Sequence, residues 1–470
     1  MIKSDRYIRR AISRHARLST YGVVLAVYLA TNLGNFARGE TIVDALVKAY
    51  HNNPTLNAER ASVRAVNETV AIAKSGYRPT VSVNSEIGYS TTRSNAPGTT
   101  SDTELSPGEL GVTVDQTLWD SNRTRNAVSS AISAASSTHE NLRNTEQTVL
   151  LDAATAFLDV IRDRAILQLQ RRNLLFLKEQ LKAETSRKLV GEATLTDVAQ
   201  AQAGQAGAQA EVSLAVANLR ISEATYRQIV GDNPRTLDGR RIRFGFPTSL
   251  SAGVQIAIAE HPTILSARFD IDEAVFNVKS AESELLPRID LEGKVARLFD
   301  QNVNTSVSNE YSVFATLEVP IFQAGEQSAI VRQNKELLGQ RRIELDEAID
   351  SVRADVISAY ADFADASSSQ SANQEQVNAS RLALEGTVRE REVGESTTLD
   401  VLSTQSTLIE AQIELENAKR NVHLAQFSIL AAVGRLSISH ISKQTITVNP
   451  EDHLEAVEDK WFGLRVVGGQ

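Results

Sequence analysis

The 470 residues include no cysteine, a single methionine and only 5% aromatic side chains. The missing cysteine rules out disulfides, a thiol nucleophile, a cysteine-based zinc cluster and an acylated N-terminal cysteine. So few aromatics argue against a thick globular core. Alanine, glutamine, serine and leucine fill the middle of each half instead, which favours long thin helices packed through small side chains. Proline is absent from Asn122 to Lys188 and from Gly325 to Glu392, and helices of that extent would be on the order of 100 Å long. A basic excess is also lacking: 49 Lys and Arg against 58 Asp and Glu leave a formal charge of −9, so nucleic acid is not an expected partner. There is no P-loop, GxSxG or HExxH. The seven histidines (His15, His51, His139, His261, His423, His440 and His453) show no ligand spacing, so no catalytic residue, metal or cofactor is expected.

The N-terminus has the form of an export signal. Lys3, Arg6, Arg9, Arg10, Arg14 and Arg17 precede an apolar run from Tyr21 to Ala30 that is too short to span a bilayer. Ala37-Arg38-Gly39 then offers a small-x-small cleavage site, with Glu40 as the mature start. Residues 1–39 are read as a signal peptide. No later run approaches the length of a spanning helix, so membrane contact would have to come from strands.

What the sequence does contain is a duplication. Val190-Gly191-Glu192-Ala193-Thr194-Leu195-Thr196-Asp197-Val198 returns, at a constant offset of 203, as Val393-Gly394-Glu395-Ser396-Thr397-Thr398-Leu399-Asp400-Val401. The interval from Pro54 to Pro79 likewise recurs from Pro262 to Pro287. Two structural repeats, 40–235 and 251–437, are expected, joined by a linker at 236–250 and followed by a tail at 438–470.

Each repeat opens with helical periodicity, entered in the first at Asn53-Pro54 and stopped by Gly76 and Pro79. The period then changes to two. Val81, Val83, Ile87 and Tyr89 alternate with Ser82, Asn84, Glu86 and Ser90, and after a polar loop Leu110, Val112, Val114 and Leu118 alternate with Glu109, Gly111, Thr113 and Asp115. The second repeat matches this with Ile289, Leu291 and Val295, then with Tyr311, Val313, Ala315, Leu317 and Val319. Phe314 interrupts its polar face and Arg297 its apolar one. Hairpins are predicted at 79–119 and 287–321. Apolar-out, charged-in strands of about ten residues suit a water-filled transmembrane barrel, although a soluble sandwich has the same alternation. Four strands cannot close a barrel, so a membrane reading requires several chains to share one.

Long helices lead from the hairpins to turns at 190–197 and 393–400, and shorter helices return. In the second return helix Val401, Leu408, Leu415, Val422 and Ile429 stand seven apart, a coiled-coil seam. At the turns, Thr194 with Asp197 and Thr397 with Asp400 read as capping boxes, and Gly191 and Gly394 as left-handed helix ends. In a ring of such hairpins the aspartates would also place negative charge at a pore mouth.

Two strands and long helices in each duplicate, an export signal and two VGE-x-T-x-x-DV turns resemble the TolC-like outer-membrane efflux proteins over residues 40 to 437. The resemblance implies an α+β membrane protein: a homotrimer with a 12-stranded outer-membrane β-barrel, four strands per chain, continued by a periplasmic α-helical coiled-coil barrel. It implies a passive exit duct for drugs or secreted proteins, partnered by a periplasmic adaptor and an inner-membrane pump of RND or ABC type, with outer-membrane lipid around the barrel. Val190, Gly191, Thr194, Val393, Gly394 and Thr397 match adaptor-contact tips. Thr196, Asp197 and Asp400 match the periplasmic constriction. There this chain departs from the family: Ser396 stands for a basic residue, Arg391 for a tyrosine and Ser403 for a second acid, which suggests a gate resting on Arg391 with Asp197. The missing cysteine separates it from the lipid-anchored branch. An exported structural coiled coil, such as an adhesin stalk or a periplasmic adaptor, is the competing reading, and it leaves the four amphipathic strands unexplained.

Overall fold

A computed structural model describes residues 39–239, 245–442, 445 and 447–466. The expected signal peptide lies outside the described residues, apart from Gly39. The stretch expected as the first repeat contains α1 (Ile42–Asn52), α2 (Pro54–Lys74), β1 (Thr80–Ile87), β2 (Ser90–Ala96), β3 (Thr99–Leu105), β4 (Gly108–Trp119), α3 (Arg123–Leu189) and α4 (Leu195–Val230). The second consists of α5 (Leu250–Glu260), α6 (Pro262–Ser283), β5 (Arg288–Asn302), β6 (Thr305–Glu318), α7 (Glu326–Val393) and α8 (Thr398–Ala432). Two short helices follow, α9 (Ile438–Ile441) and α10 (Pro450–Val457). The unbroken α3 and α7 contain 67 and 68 residues, as their freedom from proline allows.

Helix entries follow local chemistry. Asn53 Oδ1 accepts the amides of Thr55 and Leu56 ahead of Pro54, and in the second repeat His261 Nδ1 accepts the amide of Thr263 ahead of Pro262. At the strand-to-helix corners two consecutive residues adopt positive φ in each repeat, Ser121-Asn122 and Ala324-Gly325. These pairs are again 203 apart, so the duplication extends to the backbone of the turn.

Strands β1, β4, β5 and β6 form one antiparallel sheet in that order. The stretch after β1, read from sequence as a polar loop, instead forms a second two-stranded sheet of β2 and β3. Pro107 has no amide to continue the ladder, and Gly88 N donates to Pro107 O where the two sheets meet. In the second repeat the same reach is covered by β5 and β6 alone, at 15 and 14 residues.

The compact units do not follow the repeats, because each draws on both. One combines the described parts of residues 1–48, 153–243 and 379–416. It packs Leu174, Leu177 and Ala208 with Phe176, Val212 and Leu402. The other combines the described parts of 49–152, 244–378 and 417–470, with a core of Ala257, Ile264, Val352, Val356, Ala359, Ile429 and Val433. The predicted seam on α8 is buried at Val401, Leu408, Leu415, Val422 and Ile429. On α4 the buried heptad positions are the small ones, Ala201, Ala208, Ala215 and Ser222, which lets helix axes approach closely. The tail, read as irregular, contains α10 packed along α2. Its entry at Asn449-Pro450, where Asn449 Oδ1 accepts the Glu451 amide, repeats the Asn53-Pro54 signal.

Candidate functional site

The four-stranded sheet has two chemically opposite faces. On one, Val83, Val112, Val295 and Tyr311 share a register row, with Val81 and Val114 beside Val83 and Val112. A bulge between Thr117 and Trp119 brings Trp119 opposite Ile289 on this same face. These side chains project outward: Val83 is 71% exposed and Tyr311 75%. On the other face Lys294 Nζ lies 2.7 Å from Glu109 and 3.7 Å from Glu310. Arg288 bridges Asp290 and Glu318, and Thr117 donates to Asp290. Among the described residues, β1 and β6 each keep an unpaired edge. A sheet that exposes apolar side chains on one face and ion pairs on the other is built to divide lipid from water.

The two tips are near copies. At the end of α3, Gly191 has φ +83, with Gly191 N donating to Lys188 O and Glu192 N to Arg187 O. At the end of α7, Gly394 has φ +84, with Gly394 N donating to Arg391 O and Glu395 N to Glu390 O. Both are Schellman ends, which require the left-handed residue that glycine supplies. Val190 and Val393 beside them are exposed.

The capping boxes are complete. Asp197 N donates to Thr194 Oγ1 at 3.2 Å while Thr194 N and Oγ1 donate to Asp197 Oδ2 at 2.8 and 2.7 Å. Thr397 and Asp400 repeat the pattern, with a further bond from Ser396 Oγ to Asp400 Oδ2. The Thr194 hydroxyl and amide hold the Asp197 carboxyl below the usual range, and Thr397 does the same for Asp400. Thr196 is exposed on the first turn of α4.

Arg391 acts on the Asp197 carboxyl only through space, lowering it. The ion partner of Arg391 is Glu184, at 3.1 Å. Arg391 also donates from Nε and Nη2 to Thr398 Oγ1, at 3.3 and 3.2 Å. Asp197 is committed to its own cap, and the ion partner within reach of Arg391 is Glu184. Glu184 and Thr398, both missed in the sequence, tie α3, α7 and α8 together at the tips. Glu184 lies outside the duplicated turn and its partner is distant in sequence, so no local pattern betrays it.

Among the described residues no helix is long and apolar enough to cross a membrane, and no group of His, Cys, Asp and Glu could hold a metal ion. The family model of the outer membrane efflux protein matches residues 45–232 and 253–435. The outer membrane efflux protein BepC of Brucella suis is 40% identical over 452 residues, covering 95% of this chain and 97% of the relative. The outer membrane protein TolC of Vibrio cholerae is 27% identical, covering 88% and 96%. The Campylobacter jejuni CmeC outer membrane channel has the same fold, with a TM-score of 0.76 at 15% identity over 89% of each chain. With two stretches matched over most of the chain and a relative alike along nearly its whole length, the chain belongs to the outer membrane efflux protein family, whose members are outer-membrane channels and not enzymes.

Proposed function

We propose that three copies of the chain join β1 of one to β6 of the next, closing a twelve-stranded barrel whose helices continue as a tunnel through the periplasm. The duct so formed is the passive exit of a tripartite efflux pump and/or a type I secretion system. An adaptor meets the tips at Val190, Gly191, Thr194, Val393, Gly394 and Thr397, and an inner-membrane pump of RND or ABC type supplies the energy. The observation that carries this reading is the sheet itself. One chain has an exposed apolar face and two unpaired edges, and open edges cannot stand in lipid, whereas a closed ring of strands can.

At the tips, Thr196, Asp197, Arg391 and Asp400 form the constriction, with Glu184 and Thr398 holding Arg391 in place. Residues 1–39 are removed on export, and the two repeats, 40–235 and 251–437, are the evolutionary units of the chain. The cargo is drugs, toxic compounds or proteins, and the efflux named for the Brucella relative supports the efflux arm of this reading.

The test is a deletion strain assayed for retention of a fluorescent efflux dye and for its secreted proteins, with complementation. Dye retention with normal secretion assigns a drug-efflux exit. Loss of secreted proteins assigns a secretion exit, and loss of both a shared duct. If neither changes in a strain cleared of related ducts, the proposal fails.

A further inference from the structure

The family model ends at Arg435, and the chain beyond it makes a directed path. Val448 N donates to the Tyr50 hydroxyl, and Asn67 Nδ2 to Pro450 O. Lys74 then pairs with Glu458 and Asp459 at 3.0 and 3.1 Å. Arg78 Nη1 donates to Lys460 O at 2.8 Å, and its guanidinium lies 4.7 Å from the centre of the Trp461 ring. The tail thus follows α2 along its length and is fastened two residues before Thr80, where the apolar-faced sheet begins. At about 3.3 Å per residue, Arg78 stands about 7 Å along the chain from the start of β1, and Trp461 stacks on its guanidinium.

What the tail delivers there is apolar and uncovered. Trp461, Phe462, Leu464 and Val466 are all exposed, Phe462 to 86%, although two ion pairs at Glu458 and Asp459 hold the chain leading into the segment and a cation–π contact at Trp461 and a bond from Lys460 Nζ to Arg465 O hold the segment itself. A segment fixed so firmly and yet left bare in one chain has a partner outside it. Tryptophan and phenylalanine flanked by Lys460 and Arg465, fastened at Arg78 two residues before the apolar-faced sheet, have the composition of a membrane–water interface anchor.

We infer that residues 461–466 are a lipid-interface anchor, seated among the phospholipid headgroups and upper acyl chains of the leaflet at the base of β1. The anchor would set the depth of the barrel in the bilayer from outside the strands. This inference rests on reading the sheet as the membrane wall.

The sequence holds two tryptophans, Trp119 and Trp461, which makes the test selective. The full-length protein as Trp119→Phe, with Trp461 the only tryptophan, and as Trp461→Phe, with Trp119 the only one, is reconstituted into phosphatidylethanolamine–phosphatidylglycerol vesicles. The acyl chains carry bromine at either a shallow or a deep position. Trp461 emission should be blue-shifted and quenched, more strongly by the shallow bromines, and Phe462→Ser with Leu464→Ser should weaken that quenching. Quenched Trp119 beside water-like, unquenched Trp461 would overturn the anchor and leave the barrel intact. Blue-shifted but unquenched Trp461 would mean that a neighbouring subunit covers the segment, which also overturns it. If Trp119 escapes quenching in vesicles, the membrane-wall reading fails and the anchor with it.

Discussion

Arg391 Nη2 stands 3.1 Å from Glu184 Oε2, and the Glu184 side chain is wholly buried. Gln180 and Arg187 also face that carboxylate, at 3.0 and 3.6 Å. The pair links the last turns of α3 and α7, so the two tips of one chain share a single charge network. Removing Arg391 leaves the buried anion to Arg187 and Gln180 alone, so the cost should fall below the about 3 kcal/mol seen where a buried pair is broken outright. Arg391→Glu should therefore spread the tips and raise the resting conductance of single channels in planar bilayers. Unchanged conductance would show that Arg391 does not hold the constriction. Glu184→Gln, which keeps a hydrogen-bond acceptor for Arg391, should open it less.

Glycine substitutions separate backbone strain from crowding. A Cβ at Gly394 meets nothing within 4 Å, so Gly394→Ala pays only for its φ of +84, about 1 kcal/mol. At Gly434, with φ +80, a Cβ would come within 2.8 Å of His261 Cα, which is backbone and cannot yield. Thermal unfolding should rank Gly434→Ala as clearly the more damaging.

His261 makes the second repeat sensitive to acid. Its Nδ1 accepts the Thr263 amide and so must stay unprotonated to cap α6. Burial holds the imidazole below its usual range and Arg143 acts in the same direction, while Asp355 and the Ala431 carbonyl oppose them. A depressed folded pKa means the contribution is present above the ordinary value of about 6.5 and is lost as pH falls below it. The unfolding midpoint should drop between about pH 6.5 and pH 5. His261→Asn, which installs the cap used at Asn53, should flatten that part of the profile, and an equally steep profile in the variant would assign the loss elsewhere.

The two faces of β6 should respond oppositely to the same charge. Val313 lies on the exposed apolar face, whereas Thr316 is opposite Asp290 on the ion-paired one. An arginine at the lipid midplane costs about 2–4 kcal/mol, and one on the water side finds acceptors. Val313→Arg should reduce assembled protein in outer-membrane fractions, while Thr316→Arg should assemble normally and shift ion selectivity.

Much of this architecture was legible because its signals are local and occur twice. Period-two alternation located β1, β4, β5 and β6, freedom from proline located α3 and α7, and the 203-residue offset tied the halves together. The caps of Thr194 and Thr397 follow from four-residue motifs, and the left-handed glycines from the helix ends they terminate. The Asn449-Pro450 entry of α10 carried the same signal as Asn53-Pro54 and could have been read in the same way.

The remainder depended on residues far apart in sequence. Sequence alone determined which segments are helix or strand, which strand face is apolar, and that one chain has too few strands to close. Only the tertiary structure could decide that Arg391 reaches Glu184 and Thr398 and leaves Asp197 to its cap, because a side chain's partner is set by which helices pack together. It also decided that β4 pairs with β5, joining the two repeats in one sheet, and that the tail runs to Arg78 and carries Trp461 to the foot of that sheet. Periodicity reports how each segment divides apolar from polar. Which surfaces meet depends on the free energy of burial summed over the whole chain, and no local pattern contains that sum.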